Sequence, residues 1–244
     1  MGELVVVVYP GEGALPSLSP PATKVVLALG RSGLEHRIKR VGAHNVKKFS
    51  PTGRVPALID GARTTVDSVR ILDDLEAREG LAHPLTPSDP RARARDRAYE
   101  HVANEALYWP LVFTRWCVPQ NREKVLDGLA GSGFFKRAVF GYFGSKEARG
   151  RCEGQGTGKK PFAEIVGDFA RGVASMNDAL AGGPYLEGRE EPGRGDFALA
   201  GILGQLGWRE ATPELHAELA KFPALGEHAK RTFTACGLDA PAWL

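Results

Sequence analysis

The stretch that decides the fold is Gly53-Arg-Val-Pro-Ala-Leu-Ile-Asp-Gly61, and Thr65-Val-Asp-Ser-Val-Arg-Ile-Leu72 follows it closely. Between the two segments, Asp60-Gly61 is a strong hairpin signal, which predicts one strand over 55–59 and a second over 63–66. Pro56 stands at the start of the first strand, where a proline contributes no ladder hydrogen bond. This proline therefore needs an explanation beyond an ordinary strand.

A helix is predicted directly after the hairpin. Ser68 is placed to cap it, the apolar residues of 69–79 recur at helical spacing, and Gly80 ends it. Together, the elements predict a compact α/β unit over residues 1–80. Its other elements are predicted at Leu4–Val8 (a buried strand), 22–30 (a helix) and 37–41 (a strand).

The rest of the chain is predicted to be helical. Three prolines mark a linker over 81–90, and almost no strand pattern follows over 91–244. The fold class is therefore α/β plus all-α, in two domains. The predicted helices are 91–109 (extended to 116 in one interpretation), 121–129, 133–143, 161–180, 196–206, 213–222 and 224–236.

The Val55-Pro56 and Asp67-Ser68 pairs, in this order of elements, resemble the glutathione transferase superfamily. The resemblance spans nearly the whole chain and implies a thioredoxin-like first domain, a helical second domain, and glutathione as co-substrate without a metal. It also implies a homodimer. Segments 105–116 and 149–158 further resemble the bacterial metaxin and failed-axon-connections branch.

The resemblance implies a glutathione site at the two pairs. In the family the X-Pro bond is cis, and the backbone of Val55 would pair with the extended peptide. Ser68, at a helix start, would bind the α-carboxylate of the γ-glutamyl group, while Asp67 would face its ammonium. Lys47 and Lys48 precede this strand, and Lys48 is the candidate partner of the glycine carboxylate.

Ser19 is the candidate donor that would stabilise the thiolate, because Ser19-Pro20-Pro21-Ala22 resembles the Ser-Pro-Phe stretch of several transferase classes. A hydroxyl at a helix N-terminus stabilises a thiolate by a hydrogen bond and by the helix dipole. Tyr9 and Ser17 are the alternatives, since the loop between Pro10 and Pro20 is long. The first domain contains no cysteine, which argues against thiol–disulfide exchange from this site.

A transferase of this kind also needs a co-substrate pocket, normally formed by the first long helix of the helical domain. The candidates are Tyr108, Trp109, Arg115 and Trp116. Farther along, the usual Ser/Thr-x-x-Asp capping box is reduced to Gly193-Arg-Gly-Asp196, which predicts a loss of stability of about 1 kcal/mol. Two functions stay open: conjugation of glutathione to small apolar electrophiles, or a non-catalytic interaction protein of the metaxin-like branch.

Composition excludes several other classes. With 43% hydrophobic and 25% charged residues the chain can bury a core, and its net charge of +3 is modest. The basic run 91–97 carries no interleaved aromatic residues, so nucleic acid is not expected as a partner. The three cysteines lie far apart in sequence without metal spacing, and no signal peptide or membrane span is apparent. A cytoplasmic protein is expected.

Overall fold

The structure is a computed structural model that describes residues 3–130, 134–206 and 210–244, with the side chains of 127–143 outside the description. Four strands run over Leu4–Val8 (β1), His36–Arg40 (β2), Ala57–Asp60 (β3) and Arg63–Val66 (β4). The α-helices are Pro20–Ser32 (α1), Ser68–Glu76 (α2), Pro90–Val102 (α3), Tyr108–Cys117 (α4), Pro119–Ala130 (α5), Phe134–Gln155 (α6), Phe162–Ala179 (α7), Arg194–Leu206 (α8), Pro213–Leu219 (α9) and Pro223–Ala235 (α10).

The first domain is a four-stranded sheet with the order β2-β1-β3-β4. β1 pairs with β2 in parallel and with β3 antiparallel, and β3 continues into the hairpin with β4. All five residues of β1 are buried, as their unbroken apolar run predicted. The thioredoxin-like sheet domain followed by helices is the fold that the sequence implied, and that expectation is confirmed.

The predicted helix over 91–109 with its possible extension is one nearly continuous element. α3 passes into α4 through a π-helical segment at Ala103–Leu107, where the backbone widens by one residue without breaking the axis. The helix predicted from residue 133 begins at Phe134 and continues to Gln155, and residues 131–133 lie outside the described residues.

Buried ions join the two domains. The Lys24 ammonium, on α1, lies 2.7 Å from a carboxylate oxygen of Glu100 on α3, and both side chains are nearly inaccessible. The other oxygen of Glu100 accepts from Arg194 Nε at 2.8 Å, and Arg194 also reaches Asp73 of α2 at 2.6 Å. Because unpaired buried charges are costly, these four paired side chains favour one arrangement of α1, α2, α3 and α8.

The N-terminus of α8 does not match the predicted loss of a cap. Asp196 Oδ2 accepts from Gly193 N–H at 2.8 Å, and Asp96 of α3 accepts from the N–H groups of Arg194 (2.9 Å) and Gly195 (3.2 Å). A Cβ atom on Gly193 would lie 2.6 Å from an Asp96 oxygen, so a serine there would collide with it. Asp96 therefore supplies the acceptor that the missing hydroxyl would have provided, while the predicted cost in stability stays a prediction.

Two further observations concern the described residues, 3–130, 134–206 and 210–244. No helix among them is long and apolar enough to cross a membrane. No group of three or more His, Cys, Asp or Glu side chains among them could hold a metal ion.

Candidate functional site

Three segments meet at one end of the sheet because of its register. Ala57 pairs with Val66 and also with Val7, so the residues before β3, after β4 and after β1 lie side by side. Pro56 and Asp67 are thus neighbours, and the chain leaving β1 toward Ser19 starts at the same edge. The sequence-predicted residues of both pairs come together here.

Val55-Pro56 is the first part of this edge. The peptide bond is cis, as the family resemblance implied, and Pro56 is buried while Val55 is partly exposed. Among the described residues, neither the N–H nor the C=O of Val55 has a hydrogen-bond partner. Both backbone groups are therefore available to an extended peptide that lies along this edge.

Asp67-Ser68 is the second part. Asp67, not Ser68 as predicted, is the N-cap of α2: its Oδ1 accepts from the N–H groups of Val69 (2.9 Å) and Arg70 (3.3 Å). Asp67 has a φ of 76°, uncommon for a residue with a side chain, and is exposed. The remaining oxygen of Asp67 carries no hydrogen bond within the described chain, and neither does the hydroxyl of Ser68.

The two lysines lie on a 3₁₀ segment, Ala43–Lys48, that precedes this edge. Both side chains are exposed. The stem of Lys47 packs over Gly53, where an added Cβ would lie 3.2 Å from its Cγ, and Gly53 has a φ of 68°. The aliphatic stem of Lys47 therefore contributes to packing around Gly53.

The long loop between Tyr9 and Ser19 folds back on itself. Leu18 N–H donates to Pro10 C=O at 3.0 Å, which closes the excursion and returns the chain to the end of β1. Within it, Leu15 N–H donates to Glu12 C=O at 2.9 Å, and Gly11 is required because a Cβ there would overlap the Leu15 carbonyl. The length of the loop therefore does not displace Ser19 from the site.

Ser19 is the N-cap of α1, but its hydroxyl makes no capping bond. The two first residues of the helix are prolines and have no N–H to offer, and the N–H groups of Ala22 and Thr23 already donate to Ser19 C=O (3.0 and 2.9 Å). The partly exposed Ser19 side chain thus lies at the positive end of the helix dipole, with a hydroxyl that makes no capping bond.

The two alternative donors are placed differently. Ser17 is fully buried, and its hydroxyl accepts from Ser19 N–H at 3.2 Å. Tyr9 is partly buried and packs in the small cluster around Val7 and Val46. Burial, and secondly the nearby Glu147, raise the pKa of the Tyr9 phenol, which makes it a weaker acid than free tyrosine.

Arg115 does not open onto a pocket. It is 5% exposed, and its guanidinium donates to Gln205 C=O at 2.7 Å, to Gln205 Oε1 at 3.1 Å and to Leu18 C=O at 3.5 Å. Gln205 in turn donates from Nε2 to Ser17 C=O at 3.0 Å, as does the Thr23 hydroxyl at 2.9 Å. Neither Gln205 nor Thr23 was recognisable in this role from the sequence, because their partners are distant or depend on the loop conformation.

The other three pocket candidates share one side of α4. Tyr108 lines a small crevice with Pro20 and Pro21, at the start of α1, and its hydroxyl accepts from Arg151 at 3.1 Å. The Arg151 guanidinium lies over the Trp109 ring, 5.3 Å from its centroid. Trp116 is partly exposed and packs with Cys152 and Val112. Of these, Tyr108 is the residue that reaches the Ser19 end of α1.

The first domain and most of the chain are similar to known proteins. The family model described as the N-terminal domain of glutathione S-transferase matches residues 18–78, which include Ser19 and both residue pairs. The isoprene-epoxide–glutathione S-transferase of Rhodococcus sp. (strain AD45) is 26% identical over 188 residues, covering 71% of this chain and 74% of that protein.

Solved structures match over almost the full length. A beta-etherase from Sphingobium sp. strain SYK-6 gives a TM-score of 0.63 at 19% identity, covering 93% of this chain and 99% of that one. A glutathione S-transferase from Methylobacillus flagellatus KT, solved with glutathione bound, gives 0.54 at 18% identity, covering 93% and 98%. At these identities the likeness concerns the fold.

Proposed function

Because the chain has the fold of the glutathione S-transferase superfamily, we propose that it binds glutathione at this edge of the sheet and transfers its thiol to small apolar electrophiles. The main observation in support is that the Ser19 hydroxyl lies at a helix N-terminus and makes no capping bond. The relative from Rhodococcus, named for an isoprene epoxide and glutathione, supports the reaction type.

Glutathione is held by the first domain in this proposal. The free N–H and C=O of Val55, beside the cis bond to Pro56, pair with the peptide backbone. The Ser68 hydroxyl and the start of α2 receive the γ-glutamyl carboxylate. The oxygen of Asp67 that does not cap the helix faces the ammonium, and Lys48 faces the glycine carboxylate.

Ser19 stabilises the thiolate. A free thiol with a pKa of about 8.5 is mostly protonated at neutral pH, so the site must favour the anion. The Ser19 hydroxyl donates to the sulfur, whose proton leaves to solvent. The sulfur then forms a bond to the electrophilic carbon while the bond to the leaving group, or to an epoxide oxygen that takes up a proton, breaks. Ser17 is too buried for this role, and Tyr9 is directed into packing.

The electrophile lies against α4. Tyr108, which borders the Pro20-Pro21 corner, and Trp109 beside it supply aromatic surface near the sulfur, and Trp116 extends it. Arg115 does not line the pocket; it donates a hydrogen bond to the Leu18 carbonyl in the loop that precedes Ser19. Membership of the metaxin-like branch, a homodimer and a detoxifying role belong to this proposal on the sequence resemblance, and a cytoplasmic location belongs to it on the sequence alone.

Calorimetric titration with glutathione and a conjugation assay with chlorodinitrobenzene test the proposal. Wild type is expected to bind glutathione and turn over, while Ser19→Ala loses at least about tenfold in kcat, as expected when one preorganised donor to a developing charge is removed. Ser175→Ala, on the exposed face of α7, removes a hydroxyl elsewhere and serves as the matched control.

Absence of binding at millimolar glutathione would reject the site. Binding without turnover on a panel of halides, enones and epoxides would favour the non-catalytic alternative. Full activity of Ser19→Ala would transfer the donor role to Tyr9, which Tyr9→Phe then tests.

A further inference from the structure

We propose that Arg115 and Gln205, both from the helical domain, are positioning residues that fix the Ser19 loop and bring a buried positive charge beneath the thiolate. This inference rests on the proposed function. It assigns the helical domain a part in activating the thiol, beyond lining a co-substrate pocket.

Both peptide groups that precede Ser19, Ser17–Leu18 and Leu18–Ser19, are held by hydrogen bonds at their C=O and at their N–H. The Ser17 carbonyl accepts from Gln205 Nε2 (3.0 Å) and the Leu18 carbonyl from Arg115 (3.5 Å). Their N–H groups are engaged as well: Leu18 N–H donates to Pro10 C=O at 3.0 Å, and Ser19 N–H donates to Ser17 Oγ at 3.2 Å. With both peptides fixed, the Ser19 hydroxyl is the group left to meet a ligand.

Arg115 and Gln205 also hold each other. Arg115 donates to both the side-chain oxygen (3.1 Å) and the backbone carbonyl (2.7 Å) of Gln205, which ties the C-terminal half of α4 to the last turn of α8. Moving Arg115 would remove this donor to the Leu18 carbonyl, and moving Gln205 would leave the Ser17 carbonyl with the Thr23 hydroxyl as its donor. Geometry of this kind matters because small displacements of a catalytic group cost large factors in rate.

The charge of Arg115 has a consequence of its own. Its guanidinium is almost fully buried, in surroundings where a charge acts more strongly than in water. Burial lowers its pKa to about 10, with Glu12 acting in the opposite direction, so the group stays protonated at neutral pH. A fixed cation beside the Leu18 carbonyl, one residue from Ser19, favours an anionic sulfur over a neutral thiol.

The location of Arg115 and Gln205 predicts that their loss affects kcat and the thiol pKa but not the KM for glutathione. Every residue proposed to hold the glutathione peptide lies in the first domain, whereas Arg115 and Gln205 lie in the second. Their loss should therefore lower kcat and raise the pKa of the bound thiol, with little change in the KM for glutathione. A residue that only stabilises the fold would not produce this separation.

The experiment titrates the thiol of glutathione bound to the full chain, followed by the ultraviolet absorbance of the thiolate, in wild type, Arg115→Met and Arg115→Lys. Arg115→Met is expected to lower the thiolate fraction at neutral pH by about tenfold. Arg115→Lys, which keeps the charge, should retain most of it. An unchanged thiol pKa in folded Arg115→Met would overturn the electrostatic role.

Gln205→Met isolates positioning, because the charge of Arg115 remains. Its kcat with chlorodinitrobenzene is expected to fall about tenfold while the KM for glutathione stays within about twofold. If Arg115→Met does not fold, this variant still decides the matter, since an unchanged kcat would overturn the proposal.

Arg189→Met is the matched control. It removes another partly buried arginine of the helical domain, bound to Asp96 and Asp196 at the far end of α8, and should lower thermal stability without moving the thiol pKa. If it moves the pKa as much as Arg115→Met does, the effect is general loosening and the inference fails. A wild type that binds no glutathione would reject the proposed function itself, which is a different result.

Discussion

The N-termini of α1 and α8 are both helix starts at the domain interface, yet their polar groups are satisfied in opposite ways. At α8, three successive N–H groups donate to the carboxylates of Asp96 and Asp196, and all of these groups are buried. At α1, two prolines remove the donors, and the hydroxyl of the N-cap Ser19 is left without a capping bond.

The difference teaches how to separate a structural helix start from a functional one. A saturated, buried start holds the fold, because each bond there replaces one that water would make. A start whose polar group is partly exposed and unbonded contributes little to the free energy of unfolding and can serve a ligand instead. The two starts should therefore respond to substitution in opposite ways.

The largest expected effect is at α8. Asp196→Ala removes an acceptor of four donors: Gly193 N–H, Leu186 N–H at 2.9 Å, Arg189 at 2.7 Å and His228 Nε2 at 2.8 Å. Since the two backbone N–H groups and His228 Nε2 lose this acceptor while buried, and Arg189 keeps only Asp96 as its carboxylate partner, we expect a loss of about 4 kcal/mol in the free energy of unfolding.

Urea denaturation measures this loss, with Asp89→Ala as the matched control. Asp89 is the N-cap of α3 and is exposed, so its single capping bond to Ala92 N–H should be worth about 1 kcal/mol. Equal losses for the two variants would contradict the distinction between the buried, fully hydrogen-bonded N-terminus of α8 and the exposed N-terminus of α3.

A smaller effect depends on pH. Burial raises the pKa of Asp96 from 3.8 to about 6, with Arg189 opposing and Asp196 adding to the rise. The folded state thus binds this proton more tightly than the unfolded chain, so the Asp96 contribution to the free energy of unfolding falls as pH rises from 3.8 to 6 and stays low above it. The change is on the order of 2 kcal/mol.

Comparing wild type with Asp96→Asn isolates this group, because the other carboxylates titrate in both proteins. The stability of wild type relative to Asp96→Asn should be greater at about pH 4.5 than at about pH 7. A difference that is the same at both pH values would contradict the raised pKa.

A third prediction sharpens the role of Asp96. Gly193→Ser restores the ordinary capping residue but places its Cβ 2.6 Å from Asp96, so it should destabilise the protein by about 1–2 kcal/mol. In an Asp96→Ala background the carboxylate that meets this Cβ is gone, while the Arg189 guanidinium, also 2.6 Å away, remains, so the penalty of the serine should shrink. A double-mutant cycle in urea measures this coupling, and strict additivity would show that Asp96 does not occupy the place of the cap.

The smallest expected effect is at α1. Ser19→Ala should change the free energy of unfolding by less than about 0.5 kcal/mol, because the hydroxyl makes no capping bond. A conventional cap would lose about 1 kcal/mol on the same substitution. Thermal denaturation without glutathione checks this, and a loss near the conventional value would show that Ser19 caps α1 after all.

The same contrast explains what the sequence could predict. The hairpin at Asp60-Gly61 and the start of α1 at Ser19 were predictable, because their signals depend on residues within a few positions. Even a local signal was ambiguous by one residue at the start of α2. Asp67 caps this helix with a positive φ, so the Ser68 hydroxyl is not needed as a cap. Short-range patterns identify the elements but leave such choices open.

The missed features depend on partners far apart in sequence. Asp96 completes the cap of α8 from 98 residues away, and Arg115 reaches Leu18 across 97. A run of arginines and aspartates around Asp96 looks like a solvated helix face in the sequence, and Arg115 between aromatics looks like part of a pocket. The hydrogen-bond partners of Asp96 and Arg115 become visible only when α3, α4, α8 and α1 are packed together.

The buried pair of Lys24 and Glu100 bears on whether the two domains can be exchanged between relatives. Burial lowers the pKa of the Lys24 ammonium, while Glu100, aligned by Arg194, acts against this. A sheet domain transplanted onto a helical domain lacking an acid at that place would have to bury an unmatched ammonium or release its proton. Recombination between relatives at the 81–90 linker would therefore need Lys24, Glu100 and Arg194 to be inherited as a set.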